Sequence, residues 1–269
     1  MHRAVEIGLS RRDPDERYYY LSIDEKAIRK GHDYITVLSE ENTGIVIDVI
    51  EGRSEQSVEE LCQTALNQEQ RDEVKTVCSD MWQPYIKATK EWFPNATHCH
   101  DPYHLVTYLN KAVDKVRKRE VKQHEELRRT KWLFLKDKAN FTDEQSFKFN
   151  SINNANYQVA RAWRIKENFR DILRITSPQA ALSLFSIWKQ DAKQAKIKEI
   201  NDVIEMFERH LNGIINAIKT GANNAKAERL NGAIQELKSI GRGYRNTRNF
   251  RTAILFFHGN LDLASHKSQ

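Results

Sequence analysis

Apolar positions in the first hundred residues come in short bursts. Tyr18 to Ile23, Tyr34 to Leu38 and Ile45 to Ile50 are strand-like runs rich in β-branched and aromatic residues. Ser39-Glu40-Glu41-Asn42-Thr43-Gly44 separates the second from the third as a hairpin-type connection, so the chain opens as an antiparallel meander. The period then changes. Val58, Leu61, Cys62, Ala65 and Leu66 recur at helical spacing, with Ser57 as cap and Glu60 completing a capping box. Val74 to Cys78 reads as a strand, Pro84 to Phe93 as a helix, and Ala96 to Cys99 as a last short strand running into His100-Asp101-Pro102. Three strands, helix, strand, helix, strand predict a mixed sheet with helices packed on it.

From Tyr103 the strand signals stop. Leu105, Tyr108, Leu109, Ala112, Val113 and Val116 form one apolar stripe, and Asn156 to Ile175, Pro178 to Lys189 and Ile197 to Ile218 continue the helical pattern, the last with a break near Gly213. Trp132, Trp163 and Trp188 in this block are expected to be buried. Gly221-Ala222-Asn223-Asn224 interrupts the pattern before a final helix, Ala225 to Ile240, closed by Gly241 and Gly243. The expected organisation is a tail or linker remnant over 1–17, one domain built from 18–104 and 220–257, an all-helical insertion over 105–219, and a flexible C-terminal tail over 258–269.

Composition narrows the setting. With 39% hydrophobic and 30% charged residues, the chain reads as globular with a heavily charged surface. No apolar run approaches the roughly 20 residues that span a bilayer, and the N-terminus lacks the apolar centre of a signal peptide, which predicts a cytoplasmic protein without a membrane partner. Cys62, Cys78 and Cys99 form no CxxC pair and leave one thiol over in any disulfide scheme, as suits a reducing compartment. The formal net charge of +6 is compatible with a polyanionic partner without requiring one. Lys115, Arg117, Lys118, Arg119, Lys122, Arg128 and Arg129 place part of that charge on the helical block.

Three carboxylates carry the candidate chemistry. Phosphodiester chemistry with Mg²⁺ needs oxygen ligands in near-octahedral array, so two or three carboxylates suffice. An acid on the first central strand, one at the end of the fourth, and one from a later helix would supply them: Asp24, Asp80 and Glu228 occupy such places. Each alone has a plainer reading, Asp24 as a turn residue, Asp80 as a helix cap and Glu228 as a solvated helix position. His98, Cys99, His100 and His104 suggest zinc, yet strand alternation sends Cys99 away from His98 and His100, and Pro102 opposes one regular helix through His104. Packing is the better reading there.

The local sequences go further. S-I-D-E-x-A-x-R-K-G-H-x-Y-x-T-V around Asp24, S-D-M-W-x-x-Y around Asp80, H-D-P-Y-H-L-V at His100 to Val106, A-E-R-L-N-x-x-I-Q around Glu228 and G-R-G-Y-R-N-T-R-N-F at Gly241 to Phe250 resemble the catalytic segments of the ISL-three family of insertion-sequence transposases. The resemblance runs from Tyr20 to Phe257 in the family's order. It implies an α/β, RNase H-like mixed sheet with flanking helices and a large all-helical insertion before the last catalytic helix. It further implies a DDE triad of Asp24, Asp80 and Glu228 binding two Mg²⁺ ions, with Mn²⁺ as a substitute, and cutting and joining DNA as a homodimer assembled on it.

Lys26, Arg29, Lys30 and His32 follow the first acid and suit phosphate contacts, a role the resemblance favours. Asn231, Arg242, Arg245 and Arg248 are further DNA-contact candidates, with Tyr244 among the arginines. Asp101 and His104 are candidates for supporting the metal ligands. The family's N-terminal cysteine-rich zinc motif and helix-turn-helix region do not precede Tyr18, so this reads as a catalytic domain without its DNA-recognition module. The alternatives are an inactive relic or DNA-binding regulator, and a nuclease on the same scaffold without strand transfer.

Overall fold

The computed structural model describes residues 1–28, 33–136, 141–153, 157–221, 225–241, 243–244 and 246–264, with the backbone alone at 153 and 225–228. In chain order these form α1 (His2–Ser10), β1 (Tyr20–Ala27), β2 (Tyr34–Glu40), β3 (Val46–Glu51), α2 (Glu55–Ala65), α3 (Gln68–Glu73), β4 (Thr76–Ser79), α4 (Gln83–Trp92) and β5 (Thr97–His100). There follow α5 (Pro102–Glu120), α6 (Lys131–Leu135), α7 (Asp143–Asn153), α8 (Gln158–Ile172), α9 (Pro178–Gln194), α10 (Lys198–Arg209), α11 (Leu211–Thr220), α12 (Ala225–Ile240) and α13 (Thr247–His258). Two compact units result, Met1–Asp101 with Ala222–Gln269, and Pro102–Gly221.

The first unit is built on one mixed sheet in the order β3-β2-β1-β4-β5. Short connections make β1, β2 and β3 antiparallel neighbours, whereas β4 and β5 follow helical crossovers and lie parallel to β1. Alternation along the strands divides the core. Leu21, Ile23, Leu38 and Val77 pack with Val58, Leu61 and Cys62 of α2 and with Tyr85 and Ala88 of α4. Ile35, Val37, Val46 and Val49 face the other way, against Val5 of α1, Leu230 and Ile234 of α12, and Phe250 and Ile254 of α13. The meander and the mixed sheet are as the hydrophobic pattern predicts.

Several local expectations are corrected. β1 does not stop at Ile23: it pairs with β2 as far as Ala27 opposite Tyr34, which puts Asp24 inside the strand. α2 begins before Ser57, and Ser54 is its cap, accepting from the Ser57 N–H at 3.1 Å. The capping box instead opens α3, where Asn67 and Gln70 bond reciprocally; with no apolar period, α3 gave no helical signal. The first residues are not a tail, because α1 buries Val5 in the core. Nor is the segment after α13 loose as far as residue 264. Arg11 donates to the Ala264 carbonyl at 2.7 Å, and Leu261 lies so close to Gly8 that a Cβ there would meet its Cβ at 2.7 Å.

The second unit is wholly helical among its described residues. α5 packs on α8 and α10, and α9 on α8, α10 and α11. Aromatic rings fill the space between them: Phe169 lies 4.8 Å from Phe207 and 4.9 Å from Trp188, and Phe149 lies 4.5 Å from Trp163. Trp163 and Trp188 are buried as expected, whereas Trp132 is 67% exposed. The break between the last two helices falls at His210, and Gly213 sits inside α11. Phe169→Ala should lower the stability of this unit by about 3 kcal/mol, the lower end for emptying a buried aromatic site. Urea unfolding followed by near-UV dichroism measures that loss.

Burial holds the His258 imidazole below its ordinary value. The unfolded chain therefore takes up a proton that the folded chain resists, and stability present above about pH 6.5 declines as pH falls through the folded value. His258→Gln should flatten the difference in urea midpoint between neutral and mildly acidic buffer.

Candidate active site

β1 places alternate side chains on opposite faces, and its polar half begins at Asp24. The Asp24 Oδ1 accepts the Glu25 backbone N–H at 2.7 Å, while Oδ2 accepts from the Lys26 ammonium at 2.7 Å and the Asn231 amide at 2.8 Å. With 14% of its side chain exposed, this carboxylate is largely out of water and is compensated by those donors. Glu25 points to the other face, as alternation requires. Arg53 Nη1 lies 3.0 Å from each Glu25 oxygen, and that hydrogen bond holds the guanidinium above its ordinary value.

Asp80 follows β4 by one residue. The last register pair of the parallel β1 and β4 is Ile23 with Ser79, so Asp24 and Asp80 stand one step further on, on strands about 4.8 Å apart. The Asp80 Oδ1 accepts the Met81 N–H at 2.6 Å. Asp101 continues the neighbouring strand at the same level: it is buried, and its N–H donates to the Ser79 carbonyl at 3.0 Å.

α12 reaches Asp24 through Asn231. Leu230 and Ile234 anchor the helix in the core, and Lys238 donates to the Ala27 carbonyl at 2.9 Å. Position 228 lies on α12 three residues before Asn231, which places both on one helical face. The Glu228 side chain lies outside the described residues, as do Arg29, Lys30, His32, Arg242 and Arg245. Among the described residues no group of three His, Cys, Asp or Glu side chains is arranged to hold a metal, so the described part of the candidate set is Asp24 and Asp80.

The other described candidates have partners of their own. Lys26 is held by Asp24. Arg248 sits on α13, 71% exposed, with Glu6 of α1 at 3.7 Å. Arg251 beside it ties α13 to β3 through Asp48 at 2.7 Å. His104 falls in the first turn of α5, in the helical unit, with Tyr103 edge-on at 5.7 Å. His98 and His100 share a strand face, their rings 4.8 Å apart, and His98 meets the Ser79 hydroxyl at 2.9 Å. Burial pushes the Cys62 thiol up to about 12 and the Cys78 thiol well above its ordinary value, leaving both as packing groups.

Sequence reasoning missed two features of this end of the sheet. Asn231 serves as an Asp24 partner, which its place three residues after Glu228 could have suggested. Arg53 and Trp82 close the opposite side, and of these only Trp82, inside S-D-M-W, carried a sequence signal.

A five-stranded sheet in 3-2-1-4-5 order, with an acid inside the central strand and another just past the parallel strand beside it, is the RNase H-like arrangement of DDE enzymes. A family profile described as "Transposase" matches residues 21–254, and the chain belongs to the ISL3 family of DDE transposases. It is similar to the transposase for insertion sequence element IS1001 of Bordetella parapertussis, 25% identical over 255 residues covering 91% of this chain and 63% of that protein. It is also similar to the transposase for insertion sequence element IS1557 of Mycobacterium tuberculosis, 23% identical over 275 residues covering 92% of this chain and 60% of that protein. The chain thus spans about six-tenths of the length of these relatives. Among the described residues no helix is long and apolar enough to cross a membrane.

Proposed function

We propose that Asp24, Asp80 and Glu228 form the acidic triad of a transposase core that cleaves DNA at the ends of an insertion sequence and joins those ends to target DNA. The observation that carries this reading is the Asn231–Asp24 hydrogen bond, because it docks the helix bearing position 228 on the strand bearing the first acid. The donor set is all carboxylate oxygen, which suits Mg²⁺ or Mn²⁺ and disfavours softer metals. When bound, two such ions would stabilise charge on the attacking and leaving oxygens.

The chain's own groups would prepare and hold the site. Asn231 fixes the Asp24 carboxylate in one orientation, and Lys26 balances its charge until a cation replaces it. The released ammonium would then lie two residues along β1, within reach of a DNA phosphate. Water attacks the phosphodiester at the insertion-sequence end, and the freed 3′-OH attacks target DNA in line, so no covalent link to the protein forms. Arg29, Lys30, His32, Arg242, Arg245 and the exposed Arg248 would contact DNA phosphates, with Asp101 supporting the acids. We assign the catalytic domain to the sheet unit and an inserted DNA-holding role to the basic helical unit, the active species being a homodimer on DNA.

One assay tests the reading: purified chain, Mg²⁺ and labelled DNA carrying the insertion-sequence ends, with Asp80→Ala beside the wild type. Strand-transfer products that vanish in the variant support it. Cleavage without transfer makes the protein a nuclease, and DNA binding with neither product makes it a regulator.

A further inference from the structure

The end of the sheet that carries Asp24 and Asp80 also carries an aromatic cluster that the acid chemistry does not use. Trp82 stands two residues after Asp80 and occupies the N-cap of α4. That position favours Ser, Thr, Asp or Asn, whose side chains satisfy a free N–H of the first turn; Trp82 makes no such bond. It also leaves 46% of its surface in water, although indole rings gain most by burial. On grounds of stability, tryptophan is a poor residue for this place.

The ring nonetheless has partners on one side. Its Nε1–H points to the Arg53 carbonyl at 3.4 Å, and the Arg53 guanidinium lies 5.7 Å from its centroid and 4.1 Å from that of Tyr34. Arg53 is itself fixed by both oxygens of Glu25, the residue after Asp24. Gly52 makes this approach feasible: it turns the chain at φ +86°, and a Cβ there would meet the Ser57 hydroxyl at 2.9 Å. Glu25 neutralises Arg53, which leaves the guanidinium as a flat prop rather than a free phosphate ligand. Trp132, also exposed, has the Lys131 ammonium 4.9 Å from its ring centroid and lies in the helical unit.

A half-exposed aromatic ring two residues past Asp80, at the same end of the sheet as Asp24, matches one chemical class, an unpaired nucleobase. Stacking uses the π-face common to all bases and is insensitive to sequence, and in a duplex those faces are covered by neighbouring pairs. We propose that Trp82, braced by Arg53 and Tyr34, is a stacking platform for an unpaired base of the DNA strand whose phosphodiester Asp24 and Asp80 address. This rests on the function proposed above and adds to it the state of the DNA, opened next to the reacting phosphate.

The test uses the full chain without divalent cation and two probes, a paired duplex and a forked duplex with a four-nucleotide unpaired arm. 2-Aminopurine replaces each arm base singly. Wild type should bind the fork more tightly than the duplex and quench 2-aminopurine at one or two arm positions. Trp82→Ala should weaken fork binding about tenfold and abolish the quench while leaving duplex binding unchanged, as loss of one base–aromatic stack predicts. Trp82→Phe should keep the quench and most of the affinity.

The proposal is overturned by a wild type that does not prefer the fork, by Trp82→Ala that retains the quench or loses fork and duplex binding equally, or by Trp82→Phe behaving like Trp82→Ala at unchanged melting temperature. Asp80→Ala should keep the quench. Asp80-dependent cleavage without any Trp82 effect removes this inference alone, whereas cleavage that survives Asp80→Ala removes the functional reading.

Discussion

Asp80→Asn is expected to reduce Mg²⁺-dependent cleavage by roughly a thousandfold or more, the equivalent of about 4 kcal/mol of transition-state stabilisation. The carboxylate's contact in the fold does not depend on its charge. The Asp80 Oδ1 accepts the Met81 N–H, a bond that an amide oxygen makes equally well, and Asp80 lies past the end of β4, outside its ladder. The substitution therefore keeps an acceptor for the Met81 N–H while removing the charge that a cation needs. Asp24→Asn is a less clean comparison. There an amide would face the Lys26 ammonium and the Asn231 amide with one of its own donors, and the loss of stability would mix with the loss of chemistry. Single-turnover cleavage paired with calorimetric Mg²⁺ titration measures both sides for Asp80→Asn. Cleavage within tenfold of wild type would remove Asp80 from the triad.

The strands of the meander could be read from sequence because each has a dense apolar run and the turn between β2 and β3 is rich in Asn, Thr and Gly. The end of β1 could not: Asp24, Glu25 and Lys26 look like a turn by composition, and only pairing with β2 keeps them extended. α1, α3 and α13 were overlooked for related reasons. α3 is QEQRDE, without an apolar residue, and is held by its capping box. α13 was hidden by its arginines, which read as a DNA-binding run; the structure uses Arg251 to fasten the helix to Asp48, with Phe250, Ile254 and Leu255 buried beneath. Charge near a site in sequence is thus a weak guide to charge near it in space. Asp24 and Asp80 were legible as a pair because adjacent parallel strands bring such residues together. The Asn231 contact had only its place three residues after Glu228 to suggest it, because a helix-to-strand contact at a separation of 207 residues leaves no pattern of its own.

That contact separates two residues on one helix. Glu228→Gln is expected to cost cleavage as much as Asp80→Asn, and added Mg²⁺ should not restore it, because a neutral amide is a poor replacement for a charged ligand. Asn231→Ala should behave differently. It removes the donor that orients Asp24 Oδ2 and leaves Lys26 as that oxygen's neighbour, so the carboxylate remains but is no longer aimed. Loss of an outer partner of this kind typically weakens metal binding by about ten- to a hundredfold. Cleavage by Asn231→Ala should therefore fall at low Mg²⁺ and recover towards wild type as Mg²⁺ is raised, while Glu228→Gln stays inactive across the same titration. If Glu228→Gln instead retains cleavage, α12 is a packing helix that happens to touch Asp24, and the third acid must be sought elsewhere. If Asn231→Ala fails to recover although folded, Asn231 contacts the reacting DNA rather than orienting its neighbour.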